Sequence, residues 1–299
     1  MHEVVAGLDA WSLLLVLATA GLYASALTAA GGSLFRLIFV GDPPLERSAG
    51  CRPTIVVAAW MAIALALLQG PLQAGFLAGG TLAGAFDPTL LVAVFEANQG
   101  SRIVLLVCGL LLLHGVLLDA PRAANWGKAL SVLGVALVVL SFTQVGHTTG
   151  GEPRWLLASL LVLHLAAVAF WMGALIPLFR MVGQPVATDL VARTLVRFGR
   201  VATAVVAFLV AAAFALAWTL MGGWPAWPPS AYAQAILLKL GLLLLLLGCA
   251  ALNRWWLVPA YQRSASRAGP RLRASIALEL LLVVCVLFVT ALLTTAIPP

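Results

Sequence analysis

Eight unbroken apolar runs, each about twenty residues long, dominate this chain of 299 residues. A run of that length crosses the hydrocarbon core of a bilayer as a helix, because only a helix or a closed barrel satisfies its backbone polar groups without water. The runs extend from Leu8 to Val40, Pro53 to Leu72, Ser101 to Leu118, Trp126 to Val145, Trp155 to Phe179, Phe198 to Met221, Ala231 to Leu252 and Leu272 to Ile297. The first is over-long, which predicts a tilted or extended helix. Barrel strands alternate apolar and polar residues, and these runs do not.

Composition agrees. The chain is 63% hydrophobic and 9% charged, against about 25% charged residues in a soluble domain. That excludes a cytosolic enzyme and a disordered chain. The net charge of +7 does not make a nucleic-acid binder, because the basic residues sit in short gaps between apolar runs and not on a folded polar face. The expectation is an all-α polytopic membrane protein: one membrane domain over residues 1–299, a bundle of eight transmembrane helices, four in residues 1–145 and four in 146–299. Leu14-Leu15-Val16-Leu17 resembles Leu160-Leu161-Val162-Leu163, and Phe35-Arg36 resembles Phe179-Arg180. Such a repeat would make the bundle four plus four in parallel orientation.

Orientation follows from Lys and Arg in the connections. With each of the 17 basic residues assigned to the nearer end of its run, only Arg102 and Arg154 belong to the even connections and Lys239 lies well within a run; the rest, from Arg36 to Arg273, belong to the odd connections. The odd connections are therefore expected in the cytoplasm and both termini in the periplasm. Glu3 and Asp9 stand where a cleavable signal carries basic residues, and the first run is long enough to span, so the amino-terminal segment reads as a span and not as a cleavable signal. The longest outer connection contains Phe86-Asp87-Pro88, which predicts a short interfacial helix starting near Pro88 and capped by Asp87. Trp224 and Trp227 mark the outer interface, Trp255 and Trp256 the inner one. Cys51, Cys108, Cys249 and Cys285 have no CxxC or metal-knuckle spacing and predict no disulfide framework.

Polar groups inside a membrane are costly, so those present are the functional candidates. Of four histidines, His147 ends the fourth run and His164 lies about 13 Å into the fifth, both on the outer side. His2 is in the outer tail, and only His114 is on the cytoplasmic half. Imidazole is the commonest metal ligand among side chains. At 100° per residue, Trp171 stacks below His164 on one helix face and Met172 lies about 80° around it. Met61 is mid-span and Met221 ends the sixth run. Thioether and imidazole together favour Cu(I) over hard ions, although five methionines also suit ordinary core filling. Lys239 lies at about the depth of His164, where it lines a polar cavity or snorkels outward; an ammonium has no lone pair for a metal. Glu279, in the eighth run, is expected to face the bundle and pair with an inner arginine. No GxxxxGK[ST], intramembrane CPC, DKTG, GxSxG or HExxH occurs, so the chain does not read as an enzyme. Transport must run on gradients or hand-off.

Gly146-His147-Thr148, then His164-Leu165-Ala166-Ala167-Val168-Ala169-Phe170-Trp171-Met172-Gly173-Ala174-Leu175, resembles the copper resistance protein D family, with its TGHA-like step and HLLAAALWLGGL segment. Arg197-Phe198-Gly199-Arg200, Tyr232, Leu237-Leu238-Lys239-Leu240 and Ala251-Leu252-Asn253-Arg254 continue the likeness in order, over residues 141 to 259. Thr148 stands where the family has Ala, and no histidine lies near Trp11 in the first run. The resemblance implies an eight-span inner-membrane protein linked to copper passage from periplasm to cytoplasm, beside a separate periplasmic copper-binding protein. In that reading His147, His164 and Met172 pass the metal, His2, Met61, Met221 and His114 are weaker ligands, and Trp171, Lys239, Tyr232 and Asn253 support the path. Two other readings stand beside it. One is a haem-b electron-transfer protein with paired histidines, for which the depths of His114 (about 20 Å) and His164 (about 13 Å) match poorly. The other is a copper-binding scaffold or sensor.

Overall fold

The computed structural model describes residues 9–41, 43–118, 124–145, 153–184, 188–221 and 231–296. Among them are eight helices long and apolar enough to cross a membrane, and no strands. They are α1 (Ala10–Phe39), α2 (Cys51–Leu77), α3 (Pro88–Leu117), α4 (Asn125–Gln144), α5 (Arg154–Val182), α6 (Thr188–Ala211, continuing to Met221), α7 (Ala231–Arg263) and α8 (Ala265–Thr295). Each contains or overlaps one of the eight apolar runs.

α1 is the central helix, packed against α2, α4, α5 and α8. Its 30 residues make about 45 Å of helix, longer than the roughly 30 Å hydrocarbon core, as the over-long run requires. It starts where Asp9 accepts a hydrogen bond from the Ser12 amide at 2.7 Å, an N-cap that satisfies a donor the helix itself leaves free. Its buried face carries Ala26, Ala29, Ala30, Gly31, Gly32 and Ser33. Small residues let two backbones touch, which is how membrane helices gain packing when lipid removes the hydrophobic drive. The closest crossing is with α5: a methyl at Gly31 would overlap the Ala169 carbonyl, and one at Gly173 would overlap the Gly31 backbone. Around this crossing, Phe35, Phe39, Phe170 and Phe198 form a contiguous aromatic group, with centroids 5.2 to 6.1 Å apart.

α3 opens with the short helix expected at Pro88, over Pro88–Val94. Asp87 accepts from the amides of Thr89 (2.8 Å) and Leu90 (3.1 Å), and Pro88 occupies the first turn. α3 then breaks at Ala97 and Asn98 before resuming at Gly100. Asn98 has φ 58°, a left-handed conformation that asparagine accepts more readily than most residues. α7 contains a different irregularity, a π-turn over Asn253–Leu257. Such turns are rare, widen the helix by one residue and concentrate at functional sites. α6 and α7 are the least enclosed spans, with 17% and 11% of their most apolar windows buried against 44% or more in the others.

The arginine-rich ends are tied by polar contacts. Glu46 meets Arg36 at 3.0 Å and Arg52 at 3.7 Å. Arg180 donates to the Gly50 carbonyl (3.0 Å) and to Thr54 (2.6 Å), joining α5 to the start of α2. Trp255 and Trp256 are exposed, at 69% and 72%. Trp224 and Trp227 lie outside the described residues.

Candidate functional site

His164, Trp171 and Met172 are set by α5 alone, because one helix fixes their relative directions. Trp171 and Met172 are buried, at 7% and 5% exposure, and His164 is half-buried. The His164 Nδ1 is enclosed and has no hydrogen-bond partner among the described residues. A buried ring nitrogen without a partner is uncommon and calls for an explanation. Lys239 of α7, also half-buried, acts electrostatically on His164.

The other candidates are dispersed. His114 stands in the last turn of α3, where its Nδ1 faces the Leu110 and Leu111 carbonyls (3.1 and 3.3 Å) and its ring packs edge-on against Trp60 at 5.4 Å. Its Nε2 is buried and has no partner among the described residues. Met61 is 53% exposed on the outer surface of α2. Tyr232 packs beside the small cluster of Val16, Ala235 and Leu292. His2 and His147 lie outside the described residues, as does the side chain of Met221. Among the described residues, no group of three or more His, Cys, Asp and Glu comes within metal-holding reach.

Asn253 belongs to a buried polar cluster that sequence spacing does not display. Its Nδ2 donates to Glu279 Oε1 at 2.7 Å, and Trp171 gives the same carboxylate a second hydrogen bond. Glu279 is 3% exposed, so it faces the bundle as expected. Its expected arginine is corrected: the partners are an amide and an indole from α7 and α5, and among the described residues no Lys or Arg forms an ion pair with it. Asn253 opens the π-turn of α7, and that turn packs against α8. Glu279 and Asn253 line a cavity of about 340 Å³ with Trp171, Phe198, Thr203 and Arg254. The stem of Arg254 crosses from α7 onto α6, where a methyl at Gly199 would come within 2.9 Å of its Cδ. Gly199 and Arg254, two widely separated pieces of the likeness described above, are therefore one contact.

A second polar cluster lies toward the other end of the molecule, and composition hides it. Arg102, an outer-connection residue by sequence, is only 5% exposed. Its Nη1 donates to Gln69 Oε1 at 3.2 Å, and Gln99 donates to the same oxygen at 3.3 Å. Gln69 in turn donates to Thr19 at 2.9 Å. The guanidinium stands 5.6 Å from the Phe142 ring centre, while Nε and Nη2 have no partner among the described residues. Gln69, a lone amide inside an apolar run, was the available sequence signal.

Comparison with known proteins places both halves of the chain. Residues 8–155 match the family described as copper resistance protein D-like, N-terminal domain, and residues 192–293 match copper resistance protein D. His164, Trp171 and Met172 lie between the two matched segments, whereas Lys239, Asn253 and Glu279 lie within the second. A curated relative, "Copper resistance protein D" of Pseudomonas syringae pv. tomato, is 33% identical over 177 residues, 55% of this chain. The match spans little more than half, 57%, of that relative's length. No solved structure matches the chain. With both segments matched in order and eight membrane-length helices to carry them, the chain belongs to the copper resistance protein D family, as a multi-pass protein of the bacterial inner membrane.

Proposed function

We propose that the protein carries copper across the inner membrane, from periplasm to cytoplasm, as part of copper homeostasis, and that it is a carrier and not an enzyme. The observation that carries this reading is the enclosed, unpartnered Nδ1 of His164 within the outer part of α5, in a chain of the copper resistance protein D family. An imidazole nitrogen with a free lone pair is a metal ligand, and Met172, eight residues on, offers a thioether about 12 Å further along the same helix. Imidazole and thioether suit Cu(I). His147 receives the metal at the entrance from a periplasmic copper-binding protein, His164 and Met172 pass it inward, and Trp171, Lys239, Tyr232 and Asn253 shape the path.

In this reading residues 1–299 are one membrane domain of four plus four helices, with both termini in the periplasm. The excess of basic residues in the odd connections supports that orientation. The haem reading gains no support: α3 and α5, which carry His114 and His164, are not a closely packed pair.

Cells carrying His164→Ala should lose copper accumulation while keeping normal amounts of protein in the membrane. Unchanged accumulation would remove His164 from the path. If the purified wild type holds copper that both His147→Ala and His164→Ala lose, and cells with and without the protein accumulate copper equally, the protein is a copper-binding scaffold or sensor.

A further inference from the structure

Glu279 is the most deeply buried acid of this protein among the described residues, and the copper path just described does not use it. It sits in a spanning helix, six residues from Arg273 and six from Cys285 on the same helix. The groups packed around it are few. α5 contributes Trp171, a neutral donor. α7 contributes Asn253, also neutral, together with Cys249 and with Arg254, whose side chain is turned onto α6. The nearest part of α6 contributes Phe198, Gly199 and Thr203. The titratable group that α1 shows to α8 is Tyr23, beside Thr294, about 22 Å along α8 from Glu279. The carboxylate thus has hydrogen bonds but no counter-charge among the described residues, in a place where an uncompensated charge is costly.

Two features make this more than a structural acid. First, Glu279 lines the same cavity as Trp255, which is 69% exposed. The volume of about 340 Å³ far exceeds the roughly 10–15 Å³ that one water needs, and Glu279, Asn253, Thr203 and Arg254 put polar groups on its wall. Second, the Asn253 Oδ1 is buried and has no partner among the described residues. It is an acceptor waiting for a hydrogen, next to an acid that can carry one.

We propose that Glu279 is a reversible proton-binding site, reached by water through this cavity, whose protonation is linked to metal on α5 through Trp171. The chemistry is one proton taken from cavity water onto the carboxylate to give a neutral acid, and returned to water when it leaves. Positive charge arriving beside Trp171 favours the carboxylate, so metal occupancy releases the proton. Asn253 and Trp171 act as positioning residues. The linkage rests on the copper reading; the proton site does not.

Two measurements on purified full-length protein separate these. Infrared difference spectra across a pH titration should show a carboxylic-acid carbonyl band in the wild type that appears and disappears with pH. The band should be missing in Glu279→Gln and shifted in Glu279→Asp. A spectrum identical in wild type and Glu279→Gln would sink the proton site. Then Cu(I) is added in weak buffer with a pH dye. The wild type should release protons, and Glu279→Gln should release about one fewer per copper bound. Equal release overturns the linkage. Absence of copper binding in the wild type also overturns it, together with the copper reading, and leaves the infrared result to stand alone.

Discussion

A buried arginine without an acid needs every acceptor it can reach, and among the described residues Arg102 has one, the Gln69 side-chain carbonyl. Hydrogen bonds to charged groups contribute about 1.5–3 kcal/mol, and losing the sole acceptor leaves the charge desolvated. Gln69→Leu should therefore lower unfolding stability in detergent by about 2–3 kcal/mol. Gln69→Leu combined with Arg102→Leu should recover part of that loss, because an apolar replacement of both partners leaves no orphan. A double variant as unstable as the sum of the two single variants would show that the network does not couple them. The same reasoning distinguishes the two histidines in view. His114 spends its Nδ1 on backbone carbonyls and leaves its Nε2 without a partner among the described residues, whereas in His164 it is Nδ1 that has no partner among them. Sequence could locate both imidazoles and their depth. It could not show which ring nitrogen was already committed.

At the scale of elements, spans were readable because helix formation in lipid is decided locally. A twenty-residue apolar run has to bond its own backbone whatever its neighbours are. The Asp87-Pro88 start of the short helix was readable for the same reason, since the cap closes within three residues. Crossings were not readable. The contact of Gly31 with Gly173 joins α1 to α5, and many other glycines in the chain look alike in sequence. Gly173→Ala drives a methyl into the Gly31 backbone, which no rotamer can relieve, so it should destabilise the protein by about 1–3 kcal/mol. Gly241→Ala meets nothing within 4 Å and should be neutral or slightly stabilising through helix propensity. Thermal unfolding of the two variants side by side checks the contrast; equal behaviour would show that the α1–α5 crossing is not the tight one.

For the whole molecule, the charge distribution predicts both termini in the periplasm and the Arg180 and Arg263 ends in the cytoplasm. Alkaline phosphatase fused at the carboxyl terminus should be active, and a single cysteine placed at Arg263 in a cysteine-free background should be shielded from membrane-impermeant reagents added to intact spheroplasts. The opposite pattern would invert the bundle and put the Glu279 cavity on the periplasmic side.

By itself the sequence determined the solvent this protein lives in, the number of crossings, the resemblance to its family and the residues worth suspecting. Each depends on composition over a short stretch or on order along the chain. The tertiary structure decided which suspects meet. Glu279 found Asn253 and Trp171 in place of an arginine, and Arg254 came to rest on Gly199, because helix rotation and spacing are set by where small residues let backbones approach. Those are properties of pairs of helices, and no single run of residues contains them.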